Sequence, residues 1–178
     1  MENRIIIIGA GGHGKVVCDA IIAQQKYNII GFVDASVAVG EIVTSGLKVI
    51  AAQDELQTLK GKADFFIVAI GNNEVREKIF LSAGSILKPA IVIHPSAIIG
   101  SAVTIGNGSV VLAYSVVNAS SVIGTNTIIN AGVIVDHDCR IGNNVHLSVG
   151  TLVGSNSEVG DKQTTAIGFA VTSFSKIN

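Results

Sequence analysis

An aliphatic residue recurs every six positions through the second half of this 178-residue chain. A small or β-branched residue follows four positions after most of them. A fixed period of this kind is typical of a parallel β-helix, in which each hexad forms one short strand and the aliphatic side chains stack in a continuous core. The period is weaker at Thr165 and resumes at Val171. The regular aliphatic positions are Ile93, Ile99, Ile105, Val111, Val117, Ile123, Ile129, Val135, Ile141, Leu147, Val153 and Val159.

The corners of such a coil need residues that turn the backbone sharply. The position after the aliphatic residue is often Gly, Asn or Asp, as at Gly124, Asn130 and Asp136. These residue types tolerate positive φ, so we expect them to form the corners. The hexad resembles that of the left-handed β-helix superfamily, and this resemblance implies left-handed coils of three hexads each.

Aliphatic residues also occur outside the regular set, and several coils carry one. Outward aliphatic side chains on neighbouring coils need a cover. Three copies packed around one axis would supply it, so we predict a homotrimer. A monomer in which the N-terminal half covers these side chains is the alternative. The outward aliphatic residues are Val116, Val122, Ile128 and Ile134.

The first half of the chain alternates strand patterns with helix patterns. The run RIIII, followed at once by glycine, is typical of a buried parallel strand. The alternation predicts βαβ crossovers and a parallel sheet. The expected strands are 4–8, 29–34 and 64–70, and the expected helices run from His13 to about Gln25, over 54–59, and over 74–82 with Asn72 or Asn73 as N-cap.

Composition divides the chain and excludes several classes of protein. Most charged residues precede residue 93, so we place the domain boundary between 1–92 and 93–178. The net charge of −1 and the lack of a basic block argue against nucleic-acid binding. Two cysteines without a CxxC pair indicate neither a disulfide framework nor a zinc site. With no signal peptide and no membrane-spanning run, we expect a soluble cytoplasmic protein.

Three glycines spell GxGxxG between the first expected strand and helix, at Gly9, Gly11 and Gly14. In this context glycine lets the backbone approach a pyrophosphate, and the helix N-terminus presents free N–H groups. Asp34 ends the second expected strand, where it could accept a hydrogen bond from a ribose or a base. The pattern predicts a nucleotide or nucleotide-sugar site, with a ligand-free tight turn as the alternative. NAD is not expected, because no second mononucleotide-binding half follows.

Charged residues are rare in the repeat, which makes the run Asp136-His137-Asp138 conspicuous. His137 has the residue type of a general base that titrates near neutral pH. An adjacent acid could orient its ring and stabilise the protonated form, and the sequence leaves Asp136 and Asp138 as alternatives for that role. A solvated polar corner is the competing interpretation.

His146 lies nine residues after His137, which is half of a coil of three hexads. The two histidines of one chain should therefore project from different sides and meet only between neighbouring copies, in agreement with a trimer. A metal site made of His137, Asp138 and His146 is the alternative. We do not favour it, because the spacing does not gather three ligands within one chain.

The whole chain resembles the bacterial nucleotide-sugar N-acetyltransferases of the hexapeptide-repeat superfamily and the similar sialic acid O-acetyltransferases. The segments that carry the resemblance are IGAGGHGKVV, FVDA, AIGNNEVREKI, HPSAIIG and VDHDCRIGNNVHLSVG. The resemblance implies that the N-terminal domain is a Rossmann-like unit that binds a UDP-sugar. The implied contacts to that ligand are Gly11, Gly12, His13, Asp34 and Gly71.

The resemblance also implies an activity, the acetyl-CoA-dependent N-acetylation of the amino group of a UDP-linked 4-amino sugar. His137 is the implied catalytic base, Asp138 is its acidic partner, and no metal is required. His146 and the main chain of Ile167 are the implied contacts to acetyl-CoA. The alternatives are an O-acetyltransferase that acts on sialic acid or another sugar, and a non-catalytic nucleotide-sugar-binding protein.

Two departures from the family pattern concern the acetyl-CoA site. Ser155 stands where the family commonly has a glycine whose N–H faces the thioester. The sequence ends at Asn178, whereas the family usually continues into further coils and a GxPAK tail. We therefore expect CoA to bind more weakly than the nucleotide sugar.

Overall fold

The computed structural model describes residues 3–178, which divide into two compact units. The first unit ends at Ala90 and the second begins at Ile91, close to the boundary expected from the sequence. The assignment of nucleotide-sugar binding to the first unit and acyl transfer to the second remains a prediction. Within residues 3–178, no helix has the length and apolar character needed to cross a bilayer.

The first unit is a six-stranded sheet with helices α1 (Gly12–Gln24) and α2 (Asn73–Gly84) and a 3-10 helix over Gln53–Leu59. The strand order is β3-β4-β2-β1-β5-β6, and all neighbouring pairs are parallel except β3 with β4. The central strand β1 is buried along Ile5–Ile8, as a continuous aliphatic run in a parallel sheet predicts. The strands are β1 (Arg4–Ile8), β2 (Asn28–Asp34), β3 (Ile42–Thr44), β4 (Leu47–Ala52), β5 (Phe65–Val68) and β6 (Lys88–Pro89).

The antiparallel hairpin formed by β3 and β4 was not predicted from the sequence. Its turn residues, Ser45 and Gly46, have φ of 50° and 74°, as in the two-residue turns that join antiparallel strands. The dipeptide Ser-Gly between two apolar runs is a known turn signal, so the hairpin was open to prediction.

The second unit is a β-helix built from fourteen two-residue strands. They form three parallel sheets, each pairing strands from successive coils, in the orders β16-β13-β10-β7, β19-β17-β14-β11-β8 and β20-β18-β15-β12-β9. The predicted fold class, a left-handed β-helix after an α/β unit, is confirmed. In chain order, β7 to β20 are Val92–Ile93, Ile98–Ile99, Thr104–Ile105, Val110–Val111, Val116–Val117, Val122–Ile123, Ile128–Ile129, Ile134–Val135, Arg140–Ile141, His146–Leu147, Leu152–Val153, Glu158–Val159, Ala170–Val171 and Lys176–Ile177.

The second residue of each strand points into the β-helix, where Val111, Ile129 and Leu147 belong to one buried cluster. The period continues through Thr165, which is buried although polar. The hydroxyl of Thr165 accepts a hydrogen bond from the Ser148 N–H at 2.8 Å. A hydroxyl that is satisfied within the core can replace an aliphatic side chain without loss of register.

Serine and threonine side chains inside the β-helix bind the backbone of the next coil. The Ser109 hydroxyl donates to the Gly124 carbonyl at 2.7 Å and accepts from the Thr127 N–H at 2.9 Å. The Thr127 hydroxyl makes the same two bonds one coil later, with Gly142 at 2.8 Å and Val145 at 3.1 Å. These bonds satisfy backbone groups at the corners, where strand pairing stops. The small residue four positions after the aliphatic one thus supplies hydrogen bonds as well as space.

The corners are not formed by the residues that the sequence predicted. Positive φ occurs two positions later than expected, and Gly124 and its equivalents are not among these residues. A Cβ at Gly124 would lie 2.4 Å from the Gly142 carbonyl oxygen, so this glycine is required because successive coils approach closely. The residues with positive φ are Ala102, Gly108, Tyr114, Ser120, Asn126, Gly132, Asp138, Asn144, Gly150, Asn156, Lys162, Gly168 and Phe174.

Candidate active site and nucleotide-binding loop

His137 and Asp138 lie at a corner of the β-helix, between β14 and β15. The Nδ1 atom of His137 is 2.7 Å from Oδ2 of Asp138, and the two side chains are 51% and 53% exposed. Consecutive side chains on an extended strand point to opposite faces. Here Asp138 has a φ of 58°, and this left-handed corner brings the neighbouring side chains together. Of the two acids that the sequence left open, Asp138 is the one that binds the imidazole ring.

Asp136 holds the backbone of the same corner. Its Oδ1 accepts the His137 N–H at 2.8 Å and the side-chain amide of Asn118 at 3.1 Å. The hydrogen bond from the His137 N–H, followed by that from Asn118, holds the pKa of Asp136 below its ordinary value. Asp136 is therefore an anion at neutral pH, next to His137 without binding its ring.

The main chain of the corner is bonded to the coils on both sides. The Asp138 N–H donates to the Ala119 carbonyl at 3.0 Å, and the Asn156 N–H donates to the His137 carbonyl at 3.1 Å. Because neighbouring coils fix both residues, the imidazole and the carboxylate share a rigid support.

The electrostatics of the corner favour a protonated His137. The hydrogen bond that the His137 ring donates to the Asp138 carboxylate raises the pKa of His137 above its ordinary value of 6.5, and the charge of Asp136 acts in the same direction. With Nδ1 turned to Asp138, Nε2 is the nitrogen that can exchange a proton with a ligand. The pair has the arrangement of a general base and the acid that orients it.

His146 lies in β16, on a different side of the coil from His137. Its Nε2 is 3.3 Å from the side-chain nitrogen of Asn130, whose Oδ1 accepts the Ala131 N–H at 2.8 Å. Since that bond turns the Asn130 oxygen toward the main chain, the amide nitrogen of Asn130 is the atom that faces Nε2 of His146. As the spacing predicts, one chain does not bring the two histidines together.

Two asparagines contact site residues in a way that was not predicted, since the sequence indicated Asn130 only as a corner residue. Asn118 and Asn130 occupy the same position of the hexad as Asp136, directly after an inward aliphatic residue. Few coils carry a polar side chain of this size at that position, and this rarity was the signal by which the two asparagines could have been found.

Ile167 is 80% exposed, in a turn that precedes β19. Within residues 3–178, no three His, Cys, Asp or Glu side chains are gathered as a metal would require.

The glycine-rich loop between β1 and α1 contains glycines of two kinds. A Cβ at Gly14 would lie 2.1 Å from the Gly9 carbonyl oxygen, and one at Gly9 would lie 2.7 Å from the Ala69 oxygen. These two glycines are required by packing. A Cβ at Gly11 or Gly12 would meet nothing within 4 Å, so the space above the start of α1 is open. That open space faces the N-terminus of a helix, which favours anions.

Asp34 binds the backbone around the glycine-rich loop. Its Oδ2 accepts the Ala10 N–H at 2.7 Å, and its Oδ1 accepts the N–H groups of Ser36 and Val37 at 2.8 and 3.0 Å. Burial alone would raise the pKa of Asp34, but these backbone hydrogen bonds outweigh it and keep the pKa below 3.8. Asp34 thus lies at the carboxyl end of β2, as the sequence predicted, and connects the loops that follow β1 and β2.

Asn72 and Asn73, the two candidate N-caps of the expected helix, have separate structural roles. Asn72 caps α2, because its Oδ1 accepts the Val75 N–H at 3.0 Å. Oδ1 of the buried Asn73 accepts a bond from the Arg76 guanidinium at 2.7 Å. Gly71 lies in the loop just before them, and His13 lies in the first turn of α1.

Arg76 is a buried cation below the loop after β5, and the sequence analysis missed it. Its Nη1 donates to the carbonyls of Ile70 and Gly71 at 3.0 and 3.1 Å. Burial lowers the pKa of Arg76 to about 10, which leaves the side chain charged at neutral pH. A buried arginine at the carboxyl edge of a parallel sheet adds positive potential where such sheets bind ligands.

Comparisons with known proteins match both units. Residues 4–83 match the PglD N-terminal domain. Over 118 residues the chain is 35% identical to UDP-N-acetylbacillosamine N-acetyltransferase of Bacillus subtilis; the match covers 64% of this chain and 52% of that relative.

Solved structures extend the similarity to nearly the whole chain. A variant of perosamine N-acetyltransferase from Caulobacter crescentus, in complex with CoA and GDP-perosamine, is 31% identical over 97% of this chain and 84% of that one, with a TM-score of 0.78. The chain belongs to the sugar N-acetyltransferase family. The family that the sequence motifs predicted is thereby confirmed.

A second solved sugar N-acetyltransferase relative is the acetyltransferase domain of PglB from Neisseria gonorrhoeae, in complex with acetyl coenzyme A. It is 33% identical over 99% of this chain and 88% of that chain, with a TM-score of 0.73. Both solved relatives thus share the α/β unit and the β-helix.

The bond between His137 and Asp138 predicts a pH dependence that can be measured directly. Asp138→Asn removes the charge that stabilises the imidazolium, so the pKa of His137 should fall toward 6.5. NMR titration of the imidazole protons measures this pKa. The control is Asp161→Asn, which removes a carboxylate at another corner, where Asp161 accepts the Asn143 N–H. The stabilising contribution of the pair is complete below pH 6.5 and is lost as the pH rises through the raised pKa. An unchanged His137 pKa in Asp138→Asn would contradict the assignment of its partner.

Proposed function

We propose that this protein is an acetyl-CoA-dependent N-acetyltransferase that acts on the amino group of a UDP-linked 4-amino sugar. The observation that carries the proposal is the His137–Asp138 pair at 2.7 Å, on a corner held from both sides. The relatives named above, which are sugar N-acetyltransferases, support the reaction type. The Bacillus relative supports uridine as the base, and the Caulobacter relative makes guanosine the base to test against it.

In the proposed reaction the sugar amine attacks the carbonyl carbon of the acetyl thioester. Nε2 of His137 removes a proton from the amine nitrogen as the C–N bond forms, and Asp138 stabilises the resulting imidazolium. The tetrahedral intermediate then collapses, the C–S bond breaks, and the imidazolium returns the proton to the departing thiolate. The products are the acetamido sugar and CoA. General-base assistance of this kind contributes about 10²–10⁴ in rate.

We assign His146 and the main chain of Ile167 to acetyl-CoA binding. An imidazole N–H can donate a hydrogen bond to a carbonyl of the pantetheine arm. Ile167 is exposed, as a residue that contacts a ligand through its backbone needs to be. Since acetyl-CoA is an intracellular metabolite, we expect the protein to act in the cytoplasm.

We assign the nucleotide sugar to the first unit, at the carboxyl edge of its parallel sheet. The open space above Gly11 and Gly12 can admit a diphosphate against the N-terminus of α1. The buried charge of Arg76 favours an anion at the same edge. His13, Asp34 and Gly71 lie in the first turn and the loops that form this edge.

We propose a homotrimer, with the acetyl-transfer site shared between copies. His137 and His146 lie on different sides of one coil, so a site that uses both histidines needs two chains. An apolar row supports association: Ile98, Ile134 and Leu152 project outward from β8, β14 and β17 of one sheet and are 63%, 40% and 46% exposed. Between β8 and β14, β11 carries the less exposed Val116 in the same row. Such a continuous exposed row is typical of an interface.

The proposed activity predicts which acceptors consume acetyl-CoA. Release of the CoA thiol should be fastest with UDP-linked 4-amino sugars, compared with GDP-linked ones and with sialic acid as an O-acceptor. His137→Ala should lose about 10²–10⁴ in kcat while the affinity for UDP stays the same. Lys176→Ala is the control, because Lys176 lies in β20 and is distant in sequence from His137. A preference for sialic acid would identify an O-acetyltransferase, and no release with any acceptor would favour a non-catalytic binding protein.

The open space above Gly12 allows a direct test of nucleotide binding by substitution of this glycine. Gly12→Leu should fold normally, because a Cβ at this position meets no protein atom within 4 Å, yet its side chain should occupy the ligand space and weaken UDP binding by about tenfold or more. Gly84→Leu is the matched control, since a Cβ there also meets nothing within 4 Å. Isothermal titration calorimetry measures both. Equal UDP affinity of the two variants would exclude this loop as the site.

The trimer predicts a light-scattering mass three times the protomer mass of 18.3 kDa. Leu152→Glu places a charge in the exposed apolar row and should shift the mass toward that of the protomer. Thr104→Glu, exposed on another sheet, should not. A wild-type protein that scatters as a single chain at micromolar concentration would contradict both the trimer and the shared site.

A further inference from the structure

Ser121 lies inside the β-helix and is bonded to both ends of the His137 corner. Its hydroxyl donates to the Asp136 carbonyl at 2.7 Å and accepts from the Cys139 N–H at 3.0 Å. Those two backbone groups directly flank His137 and Asp138 in the chain. Ser121 is 0% exposed, so no solvent can replace its hydroxyl.

We propose that Ser121 is a positioning residue for the His137–Asp138 pair. The inference rests on the proposed function, in which His137 is the base. The corner depends on a left-handed backbone at Asp138, a conformation that most residues disfavour. The bonds with Ala119 and Asn156 hold the middle of the corner, and the two bonds of the Ser121 hydroxyl hold its ends.

Loss of the Ser121 hydroxyl would leave two buried backbone groups without their partner. An unsatisfied buried carbonyl or N–H is costly, so the backbone at Asp136 and Cys139 would move toward other partners. The contact of 2.7 Å between His137 and Asp138 joins neighbouring side chains on that backbone. A small rotation of the corner would therefore lengthen this bond first.

Ser109 provides a matched comparison within the same β-helix. It is also 0% exposed, and its hydroxyl bonds the Gly124 carbonyl at 2.7 Å and the Thr127 N–H at 2.9 Å. The corner that it spans, 124–127, carries no ionisable side chain. Removal of either hydroxyl thus costs the fold the same two bonds, but only Ser121 adjoins the base.

The charged groups that act on His137 are few. Asp138 and Asp136, on its own corner, both raise its pKa. The coil before contributes the neutral Asn118 and Ala119, and the coil after contributes the neutral Ser155 and Asn156. Burial raises the pKa of the Cys139 thiol, which keeps it uncharged at neutral pH. A change in the His137 pKa upon substitution of Ser121 therefore reports on the distance to these two carboxylates.

The experiment compares Ser121→Ala with Ser109→Ala by NMR titration of His137 and by acetyl-transfer kinetics. We expect Ser121→Ala to lower the pKa of His137 toward its ordinary value of 6.5 and to lower kcat roughly 10-fold to 100-fold, with KM for acetyl-CoA unchanged. Ser109→Ala should lose a similar amount of thermal stability and keep the wild-type pKa and kcat. Ser121→Thr should restore both values, because Thr127 makes the same pair of bonds at its own corner.

Equal His137 pKa and kcat in the two alanine variants would overturn the inference. If Ser121→Ala fails to fold, Ser121→Cys takes its place, since the Cys139 thiol already bonds the Gly154 carbonyl at 3.2 Å in the next coil. Its weaker bonds should give an intermediate His137 pKa, and a wild-type value would contradict us. A wild-type protein without acetyl transfer would refute the proposed function, whereas the titration would still decide whether Ser121 positions the pair.

Discussion

Hydrogen bonds between successive coils are the interaction on which the second unit depends. The Ile128 N–H donates to the Val145 carbonyl at 2.9 Å, and the His146 N–H donates to the Gln163 carbonyl at 2.8 Å. Because every coil has the same length, this pairing stacks equivalent positions on one another. Each inward aliphatic residue then packs on its own repeat, and each corner has nearly the same backbone as the corner below it.

The candidate active site is one such corner with three changed side chains. Asp136 stands where the neighbouring coils have Asn118 and Gly154, and the position of Asp138 is one that has positive φ in every coil. The repeat provides this corner backbone whichever side chains it carries. A histidine that precedes an aspartate with positive φ is therefore oriented by the carboxylate and can act as a base. This explains how two half-exposed side chains can hold a bond of 2.7 Å.

Sequence periodicity predicted the parts of the fold that repeat. It did not predict features that depend on a backbone angle or on the distance between coils, because residue types alone do not specify these. The period of six placed Val111 and Leu147 inside the β-helix because burial selects aliphatic residues at a fixed interval. It did not show that Gly124 is required by the approach of Gly142, since close packing and positive φ both select glycine. The choice between Asp136 and Asp138 likewise depended on one φ angle that residue types alone do not reveal.

The candidate site residues fall into two groups, those whose own chemistry made them predictable and those that act by holding another group. His137 and His146 were open to prediction because charged residues are rare in the repeat and the chemistry of histidine is specific. Arg76, Asn130 and Ser121 were missed, because each acts by holding another group. A serine among many inward serines has no distinct signal until its two partners are known.

The two units use charged side chains in a similar way. In the first unit, the carboxylate of Asp34 and the guanidinium of Arg76 bind backbone groups of loops, while Gly11 and Gly12 leave the space in which a ligand can approach the main chain. In the second unit, Asp136 binds the backbone N–H of His137, and only Asp138 turns to the ring. Charged side chains that are hydrogen-bonded to the backbone do not move when a ligand binds. They fix the surface that it meets, and binding then spends less free energy on ordering the protein.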